Sequence, residues 1–216
     1  MCGAFSIIHP LKELGRRFNA GYNEEFDSPR YNIRPSQPIP VILNSDPSQI
    51  VFASWGIHPS YDRSRKLFFI NARDDSLERP TWKKMFQERR CLIPADGFYE
   101  WQKSDNKTKV PFRFELKSKE LFAFAGLWHE EEYNNQTIPH CVIITTEPNR
   151  VVKDVHDRMP AILSRDQEIS WLDPDQSEES LKALLHPLAA KELTSFKVST
   201  LVNSAKNDSP EIVVPI

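Results

Sequence analysis

Residues Cys91–Trp101 read CLIPADGFYEW, an apolar and aromatic run interrupted by Asp96-Gly97. Runs of this composition are typical of β-strands, and Asp-Gly is typical of a tight turn. Gly97 also permits another backbone or a ligand to approach closely, because glycine has no Cβ. The stretch therefore predicts β structure around a turn, and with it a sheet-based core.

Eight more short runs have the same β-type composition and are bounded by turn-forming residues. They are Pro40–Leu43, Ile50–Trp55, Leu67–Ala72, Pro111–Leu116, Leu121–Trp128, Cys141–Thr146, Ala161–Leu163 and Phe196–Thr200. Helical signals are fewer and occur at Pro10–Phe18, Pro148–Val155 and Ser180–Leu185. The pattern predicts an α+β fold with a curved or barrel-like antiparallel β core and peripheral short helices. We expect residues 1–216 to form a single domain.

The bulk composition is ordinary for a soluble globular protein, with 39 % hydrophobic and 27 % charged residues. No apolar run approaches a membrane span, and the N-terminal stretch lacks the layout of a signal peptide, so we expect a cytoplasmic protein. Three widely spaced cysteines argue against a disulfide framework. Without CxxC or HExxH spacing we predict no metal and no cofactor, and we expect Cys91 and Cys141 to be buried small hydrophobic residues.

Charge is unevenly distributed along the chain, although the net charge is only −2. The segment from Arg63 to Arg90 is mostly basic: Arg63, Arg65, Lys66, Arg73, Arg79, Lys83, Lys84, Arg89 and Arg90 stand against Asp74, Asp75, Glu78 and Glu88. The segment from Asp166 to Glu179 contains no Lys or Arg and six acidic residues: Asp166, Glu168, Asp173, Asp175, Glu178 and Glu179. This separation permits a basic groove on a mildly acidic protein, although charge runs are usually solvated surfaces.

A cysteine at position 2 can take part in reactions that are not open to a cysteine elsewhere in the chain. Met1 is normally trimmed when the next residue is small, and trimming would leave Cys2 with a thiol and a free α-amine on adjacent carbons. Such an aminothiol condenses with an aldehyde and closes a five-membered thiazolidine ring, or acts as an N-terminal nucleophile. An α-amine has a pKa of about 7.7–8.0 and a thiol one of about 8.5, so both are partly active near neutral pH.

Three further positions combine apolar neighbours with a polar group. Asn71 and Arg73 share one face of an extended chain, where an amide can orient a nucleophile and a guanidinium can bind phosphate. Glu100 stands among aromatic residues whose desolvation would raise its pKa. His156 is a candidate proton carrier, with Arg158 two residues on. Each also has a structural interpretation: a capping Asn with a surface Arg, a surface Glu on an alternating strand, and a structural His.

These segments, in this order, resemble the SRAP family, the SOS-response-associated peptidase-like proteins that bind abasic DNA. The resemblance spans most of the chain and rests on a set of short motifs. They are Cys2-Gly3, Tyr31-Asn32-Ile33 with Pro35, Trp55-Gly56 with Pro59, Asn71-Ala72-Arg73, Arg90-Cys91-Leu92-Ile93-Pro94, Gly97-Phe98-Tyr99-Glu100-Trp101, Ala125-Gly126-Leu127-Trp128, Ile144-Thr145-Thr146, His156-Asp157-Arg158-Met159-Pro160 and Asn207-Asp208-Ser209-Pro210-Glu211.

The resemblance implies a covalent chemistry centred on the N-terminus. The trimmed Cys2 would capture the aldehyde of an abasic site in single-stranded DNA, as a Schiff base and then a thiazolidine, and would shield the lesion. Asn71 would position the amine and thiol of Cys2. Glu100 would move protons during ring opening and imine formation, and His156 would assist proton transfer at the sugar oxygen. Lyase-type β-elimination could proceed from the same imine, and Met1 would be removed either by the protein itself, as the peptidase name suggests, or by an aminopeptidase.

The resemblance also implies a partner, single-stranded DNA, bound by a monomeric protein that is nucleoid-associated on damaged DNA. Arg73 and Arg158 would lie near phosphates, and Trp55 would offer an apolar or stacking surface to bases. Three departures from the family pattern bear on affinity rather than chemistry. The family often has Arg where this chain has Ala4, a second aromatic is represented here by Tyr61, and Asp74-Asp75 adds negative charge beside Arg73.

Two other classes of function remain open on the residues alone. A cysteine peptidase acting on its own N-terminus or on other proteins would use Cys2 as nucleophile, with His156 or the amine as base. A non-catalytic DNA-binding module would bind without becoming covalent. A peptidase would act on peptides without DNA, whereas a crosslinking protein requires an aldehyde.

Overall fold

The computed structural model describes residues 2–23, 29–62, 64–103, 109–133 and 136–216. Its strands are β1 (Phe5–Ile7), β2 (Gly21–Tyr22), β3 (Arg30–Ile33), β4 (Pro38–Leu43), β5 (Asp46–Trp55), β6 (Asn71–Arg73), β7 (Arg90–Ala95), β8 (Gly97–Lys103), β9 (Lys109–Leu116), β10 (Phe122–Tyr133), β11 (Gln136–Thr146), β12 (Met159–Pro160), β13 (Ile162–Leu163) and β14 (Leu193–Lys197). Its α-helices are α1 (Leu11–Phe18), α2 (Pro80–Glu88), α3 (Arg150–Lys153), α4 (Arg165–Leu172) and α5 (Glu178–Ala183).

A closed β-barrel forms the centre of the fold. Its strands follow the order β11-β10-β7-β4-β5, and β5 pairs back onto β11 through Ser54 opposite His140 and Trp55 opposite Cys141. The barrel-like β core of an α+β fold is thereby confirmed. Most pairings are antiparallel, as predicted, but the closing pair is parallel, as are β6 with β11 and β2 with β5.

A second sheet, in the order β14-β9-β8-β1-β3, packs against the barrel through aromatic rings. The rings of Phe98 and Phe114 stack at 5.0 Å, and Phe98 also meets Phe124 of the barrel edge-on. Phe5 likewise contacts Trp55 of β5, at 5.1 Å between ring centroids. Because side chains alternate along a strand, Glu100 shares the barrel-facing side of β8 with Phe98.

The Asp96-Gly97 dipeptide joins the two sheets, so the prediction of a tight turn there is wrong. β7 belongs to the barrel and β8 to the second sheet. The buried Asp96 carboxylate accepts hydrogen bonds from Ser6 Oγ (2.5 Å), from Arg113 Nη2 (2.9 Å) and from the Ile8 amide. A Cβ added at Gly97 would lie 2.4 Å from Arg113 Cζ. Gly97 therefore permits the close approach of the Arg113 side chain, rather than of another backbone segment or a ligand.

The C-terminal segment covers the outer face of the second sheet. Val198, Val202 and Ile212 form a small apolar cluster there with Ala4 and Tyr99. The Asp208 carboxylate accepts hydrogen bonds from the amides of Tyr31 and Asn32, and the Asn32 side-chain amide donates to the carbonyls of Val202, Ser204 and Asn207. These contacts fix the segment that contains the Asn207-Asp208-Ser209-Pro210-Glu211 motif against β3.

The helices lie at the periphery, as predicted, but their positions agree only in part. Helix α1 falls within its predicted stretch and α5 overlaps Ser180–Leu185 but begins two residues earlier, whereas Pro148–Val155 contains only the four-residue α3. Helices α2 and α4 have no counterpart among the predicted helices. Within the described residues no helix is long and apolar enough to cross a membrane.

Candidate active site

Cys2 lies at the open end of β1, between β8 and β3. The Tyr99 amide donates to the Ala4 carbonyl (3.0 Å), which continues the β1–β8 ladder toward the chain start and brings Cys2 beside Glu100. Cys2 is fully buried, and its thiol donates a weak hydrogen bond to the Ala4 carbonyl. Burial, reinforced by the charge of Glu100, raises the pKa of the Cys2 thiol.

Strand β11 brings the other predicted residues to the same place. On one side β11 pairs with β6, which carries Asn71, and on the other with β12, which follows the loop carrying His156. The side-chain amide of Asn71 donates to the Cys2 carbonyl at 2.9 Å. His156 closes the end of α3, where its amide donates to the Val152 carbonyl. Cys2, Asn71, Glu100 and His156 therefore converge from four separate elements.

Glu100 is buried rather than a surface residue on an alternating strand, since only 2 % of it is exposed. Burial raises the pKa of its carboxyl to about 7, so the group exchanges protons near neutral pH. Its Oε2 lies 3.9 Å from Nε2 of His156. This separation is too long for a direct hydrogen bond, and it allows both groups to contact a third group placed beside them.

His156 is held in one tautomer by the backbone. Its Nδ1 accepts a hydrogen bond from the Arg158 amide (3.1 Å), and burial lowers the pKa of the ring below its ordinary value. The neutral ring then carries its proton on Nε2, the nitrogen that lies toward Glu100. Asp157 Oδ1 is 3.0 Å from Nδ1, but Asp157 is well solvated, with 88 % of its side chain exposed, so its charge is screened.

Burial of Glu100 has a consequence for stability. Its pKa is higher in the folded chain than in the unfolded chain, so between about pH 4.5 and 7 the folded state binds more protons and unfolding free energy falls as pH rises. We expect Glu100→Gln to be more stable than wild type by up to about 3 kcal/mol at pH 8, with the gain shrinking toward pH 4.5. Urea denaturation across this range, with exposed Glu179→Gln as control, measures the difference. A pH-independent difference would contradict the assignment.

Asn71 contacts Cys2 through the carbonyl rather than through the nitrogen or sulfur that its predicted role concerns. Its Oδ1 is buried and, within the described part of the chain, has no hydrogen-bond partner. A buried amide oxygen without a partner is costly and is available as an acceptor for a donor brought close to it. The positioning role of Asn71 stays a prediction.

The two arginines predicted to bind phosphate are paired with acidic residues. Arg73 is exposed and makes a two-point contact with Asp75, at 3.0 and 2.6 Å. Arg158 is only 8 % exposed, and its Nη2 donates to Asp74 Oδ1 at 2.5 Å and to the Thr145 carbonyl. A phosphate would therefore have to compete with a carboxylate at each arginine.

Two sequence interpretations need correction. Trp55 offers no stacking surface, because its ring is fully buried against Phe5 and its Nε1 donates to the Ile70 carbonyl. Arg90 does not contribute to a basic groove, because it is also fully buried and donates to backbone carbonyls, including those of Trp171 and Phe86. Arg63 lies outside the described residues.

Basic side chains that the sequence patterns do not predict border the site. A cavity of about 510 Å³ beside Glu100 and His156 is lined also by Arg34, Trp101, Lys103, Lys109 and Asn203. A neighbouring cavity of about 680 Å³ shares Trp101, Lys103 and His156 and adds Lys153. These basic residues come from different elements and form no run in the sequence, so no local signal identifies them.

The remaining cysteines are structural. Cys91 and Cys141 are free and fully buried, as predicted, and burial raises the pKa of both thiols. Among the residues that the structure describes, no group of three or more His, Cys, Asp or Glu side chains could hold a metal ion.

The fold and this cluster define a class of β-barrel proteins in which a cysteine near the chain start lies beside a buried carboxyl and a histidine. The chain belongs to the SRAP family. The model of that family, described as SOS response associated peptidase, matches residues 1–205.

Relatives and solved structures agree with this assignment. The chain is 41 % identical over 223 residues, with 99 % of each chain covered, to YoqW of Bacillus subtilis (strain 168), named an abasic site processing protein. It is 31 % identical to HMCES of Xenopus tropicalis, which has the same descriptive name, over 95 % of this chain and 72 % of that protein. A crystal structure of a Bacteroides thetaiotaomicron protein superposes with a TM-score of 0.89 over 100 % of both chains; at 24 % identity this likeness shows the fold.

Proposed function

We propose that this protein processes abasic sites by capturing their ring-opened aldehyde in single-stranded DNA through Cys2, and that the adduct shields the lesion. The observation that carries the proposal is the burial of Cys2 beside Glu100, a carboxyl whose pKa burial raises to about 7. A group that titrates near neutral pH can both accept and return a proton in one reaction cycle. The names of the relatives, abasic site processing protein, support the same substrate class.

The proposed reaction forms two bonds at one carbon. The α-amine of Cys2 attacks C1′ of the aldehyde, and the carbinolamine loses water to give an imine. The Cys2 sulfur then adds to the imine carbon, its proton passes to nitrogen, and the five-membered thiazolidine closes. Glu100 accepts and returns protons in these steps, and the Nε2 proton of His156 assists departure of oxygen as water. Asn71 Oδ1 offers an acceptor for the amine.

The reaction requires removal of Met1, because otherwise the nitrogen of Cys2 belongs to an amide and cannot condense. Hydrolysis of the Met1–Cys2 bond, by the protein itself or by an aminopeptidase, would free the amine.

A general peptidase is the less favoured function. The thiol of Cys2 donates to the Ala4 carbonyl, and both burial and the charge of Glu100 raise its pKa. These effects disfavour the thiolate that a cysteine peptidase uses as its nucleophile.

DNA binding would be electrostatic and weakly dependent on sequence, because an abasic site has no base to read. Arg73 and Arg158 would bind phosphates after exchanging their carboxylate partners, and Lys103, Lys109 and Lys153 would extend the basic surface along the two cavities.

Weakening the Asp74–Arg158 pair is expected to strengthen DNA binding. Asp74→Asn removes the charge that competes with phosphate, while the Thr145 carbonyl still holds the guanidinium. We expect affinity at low salt to rise by about fivefold, and the salt dependence to steepen by about 0.7 in log–log slope as one more phosphate is neutralised. Fluorescence anisotropy at several salt concentrations, beside exposed Asp166→Asn, checks this. Weaker binding, or an equal gain in the control, would contradict it.

The test of the proposed function is a denaturing gel of Met1-trimmed protein with single-stranded DNA carrying one abasic site. We expect a heat-stable, slowly migrating band without borohydride, and none with intact DNA or with Cys2→Ala. Absence of the band for the wild type, with trimming verified by mass spectrometry, would exclude the crosslinking mechanism. Cleavage of peptides without DNA would instead favour the peptidase.

A further inference from the structure

Arg34, the residue that follows β3, lines the cavity beside Glu100. Its Nε donates to Asn32 Oδ1 at 2.8 Å, and its Nη2 donates to the Val202 carbonyl. The guanidinium also lies 5.4 Å from the ring centroid of Trp101, whose Nε1 donates to Asn203 Oδ1 at 2.6 Å. Two hydrogen bonds and a cation–π contact thus fix the direction of this side chain.

The fixed guanidinium retains donors that can bind a ligand. A guanidinium has five N–H donors, and the hydrogen bonds that Arg34 makes in the described part of the chain use Nε and Nη2. Nη1 is therefore available in a cavity that also contains Glu100 and His156. Position 4, where the family often has Arg, is occupied here by Ala4, which is fully buried in the apolar cluster with Tyr99 and Val202 and contributes no charge to the cavity.

The position and charge of Arg34 indicate what it would bind. Two N–H donors on a preorganised cation match phosphate oxygens better than neutral groups. At about 510 Å³, the cavity is within the range of small-ligand sites and has room for a sugar phosphate. A phosphate bound at Arg34 would keep an attached sugar next to Glu100 and Cys2.

We propose that Arg34 is a specificity-determining residue that binds the phosphate attached to the aldehyde sugar, so that Cys2 captures phosphorylated aldehyde sugars in preference to unphosphorylated ones. This inference rests on the proposed function. It assigns Arg34 a contact separate from those of Arg73 and Arg158, because Arg34 is among the residues that line the cavity beside Glu100 and the other two arginines are not. It also extends the substrate class to small phosphorylated aldehydes that are not part of DNA.

The test compares capture of 2-deoxyribose 5-phosphate with capture of 2-deoxyribose, using Met1-trimmed full-length protein. Mass spectrometry follows the amount of adduct over time, which gives the second-order rate constant of its formation. We expect wild type to favour the phosphorylated sugar by about tenfold, the effect of one charge-assisted contact. Arg34→Met should remove most of this preference while capturing 2-deoxyribose at the wild-type rate, and Arg34→Lys should retain part of it.

Two matched variants separate Arg34 from general charge. Arg16→Met removes an exposed arginine of α1 and should keep the preference for the phosphorylated sugar. Lys103→Met removes a cation that lines the same cavity and should lower the preference by less than Arg34→Met does. Because 2-deoxyribose needs no phosphate contact, its unchanged rate in Arg34→Met shows that the site is folded.

Four results would overturn the inference. Equal capture of the two sugars by wild type, or an intact preference in Arg34→Met, would exclude the role of Arg34 and leave the proposed function standing. A slower reaction of Arg34→Met with both sugars, at an unchanged ratio, would assign Arg34 to holding the C-terminal segment. Capture of neither sugar by the wild type, with DNA-borne abasic sites also unreactive, would remove the proposed function as well.

Discussion

Cys2→Ser is expected to form no detectable heat-stable crosslink to abasic DNA, and yet to be trapped on that DNA by borohydride. Serine at position 2 is also small, so Met1 is trimmed and the α-amine remains to form the imine. The hydroxyl is a far weaker nucleophile than the thiol, so the ring that stabilises the adduct does not close. Denaturing gels with and without borohydride separate the two steps.

The matched control for Cys2→Ser is Cys141→Ala, which removes a fully buried thiol from β11. It should crosslink as wild type does. A heat-stable band from Cys2→Ser would contradict separate roles for amine and thiol. The absence of a borohydride-trapped band from Cys2→Ser would contradict them as well.

Glu100→Gln is expected to slow capture by about 10²- to 10⁴-fold, the usual contribution of a positioned acid–base group. Since burial raises the pKa of Glu100 to about 7, the carboxylate form increases as pH rises through 7, and the wild-type rate should rise with it. The variant should lose this inflection, because an amide does not titrate in this range. Single-turnover crosslinking from pH 5.5 to 9 measures both profiles.

An exposed carboxylate provides the control for this effect, and Glu179→Gln should retain the wild-type rate and profile. A Glu100→Gln protein with an unchanged rate and an unchanged inflection near pH 7 would show that another group moves the protons. Folding of the variant is verified by its denaturation curve, for which greater stability at pH 8 is the expectation.

Local sequence patterns were sufficient to predict which secondary-structure elements make up the fold, but not how those elements are connected and paired. The β-type runs identify most of the barrel strands, because burial requires apolar residues wherever the strands lie. Asp96-Gly97 shows the limit, since its local chemistry suits a surface turn while Ser6 and Arg113 make it a buried junction. The parallel contact between β5 and β11 that closes the barrel joins residues far apart in the chain, and no local signal encodes it.

The missed helices illustrate two kinds of weak signal. Helix α2 begins with Pro80, a favoured first residue, and buries Trp82 and Phe86 four residues apart, but it lies within a run of basic residues that is typical of a solvated surface. Helix α4 has a capping box at Ser164 and Gln167, yet it exposes Ile169 and buries Glu168, which contradicts the expected apolar face. In α4 the ion pair of Glu168 with Arg17 accounts for the buried acid.

The site was predictable where chemistry requires a particular residue type, and less so where only charge and shape matter. Cys2, Asn71, Glu100 and His156 are unusual in their sequence contexts, and the fold gathers them. Trp55 is equally prominent in sequence but serves the core. Arg34 has no distinctive sequence context, because the contacts that orient its guanidinium come from Trp101 and Val202, which lie far away in sequence.

The most direct test of the central claim is mass spectrometry of the N-terminal peptide released from the DNA adduct after nuclease and protease digestion. The proposed mechanism predicts a peptide that begins at Cys2, carries the sugar remnant less one water, and resists alkylation at sulfur because both nitrogen and sulfur are bonded to C1′. A remnant on a lysine, or a Cys2 whose thiol still reacts with iodoacetamide, would contradict thiazolidine capture.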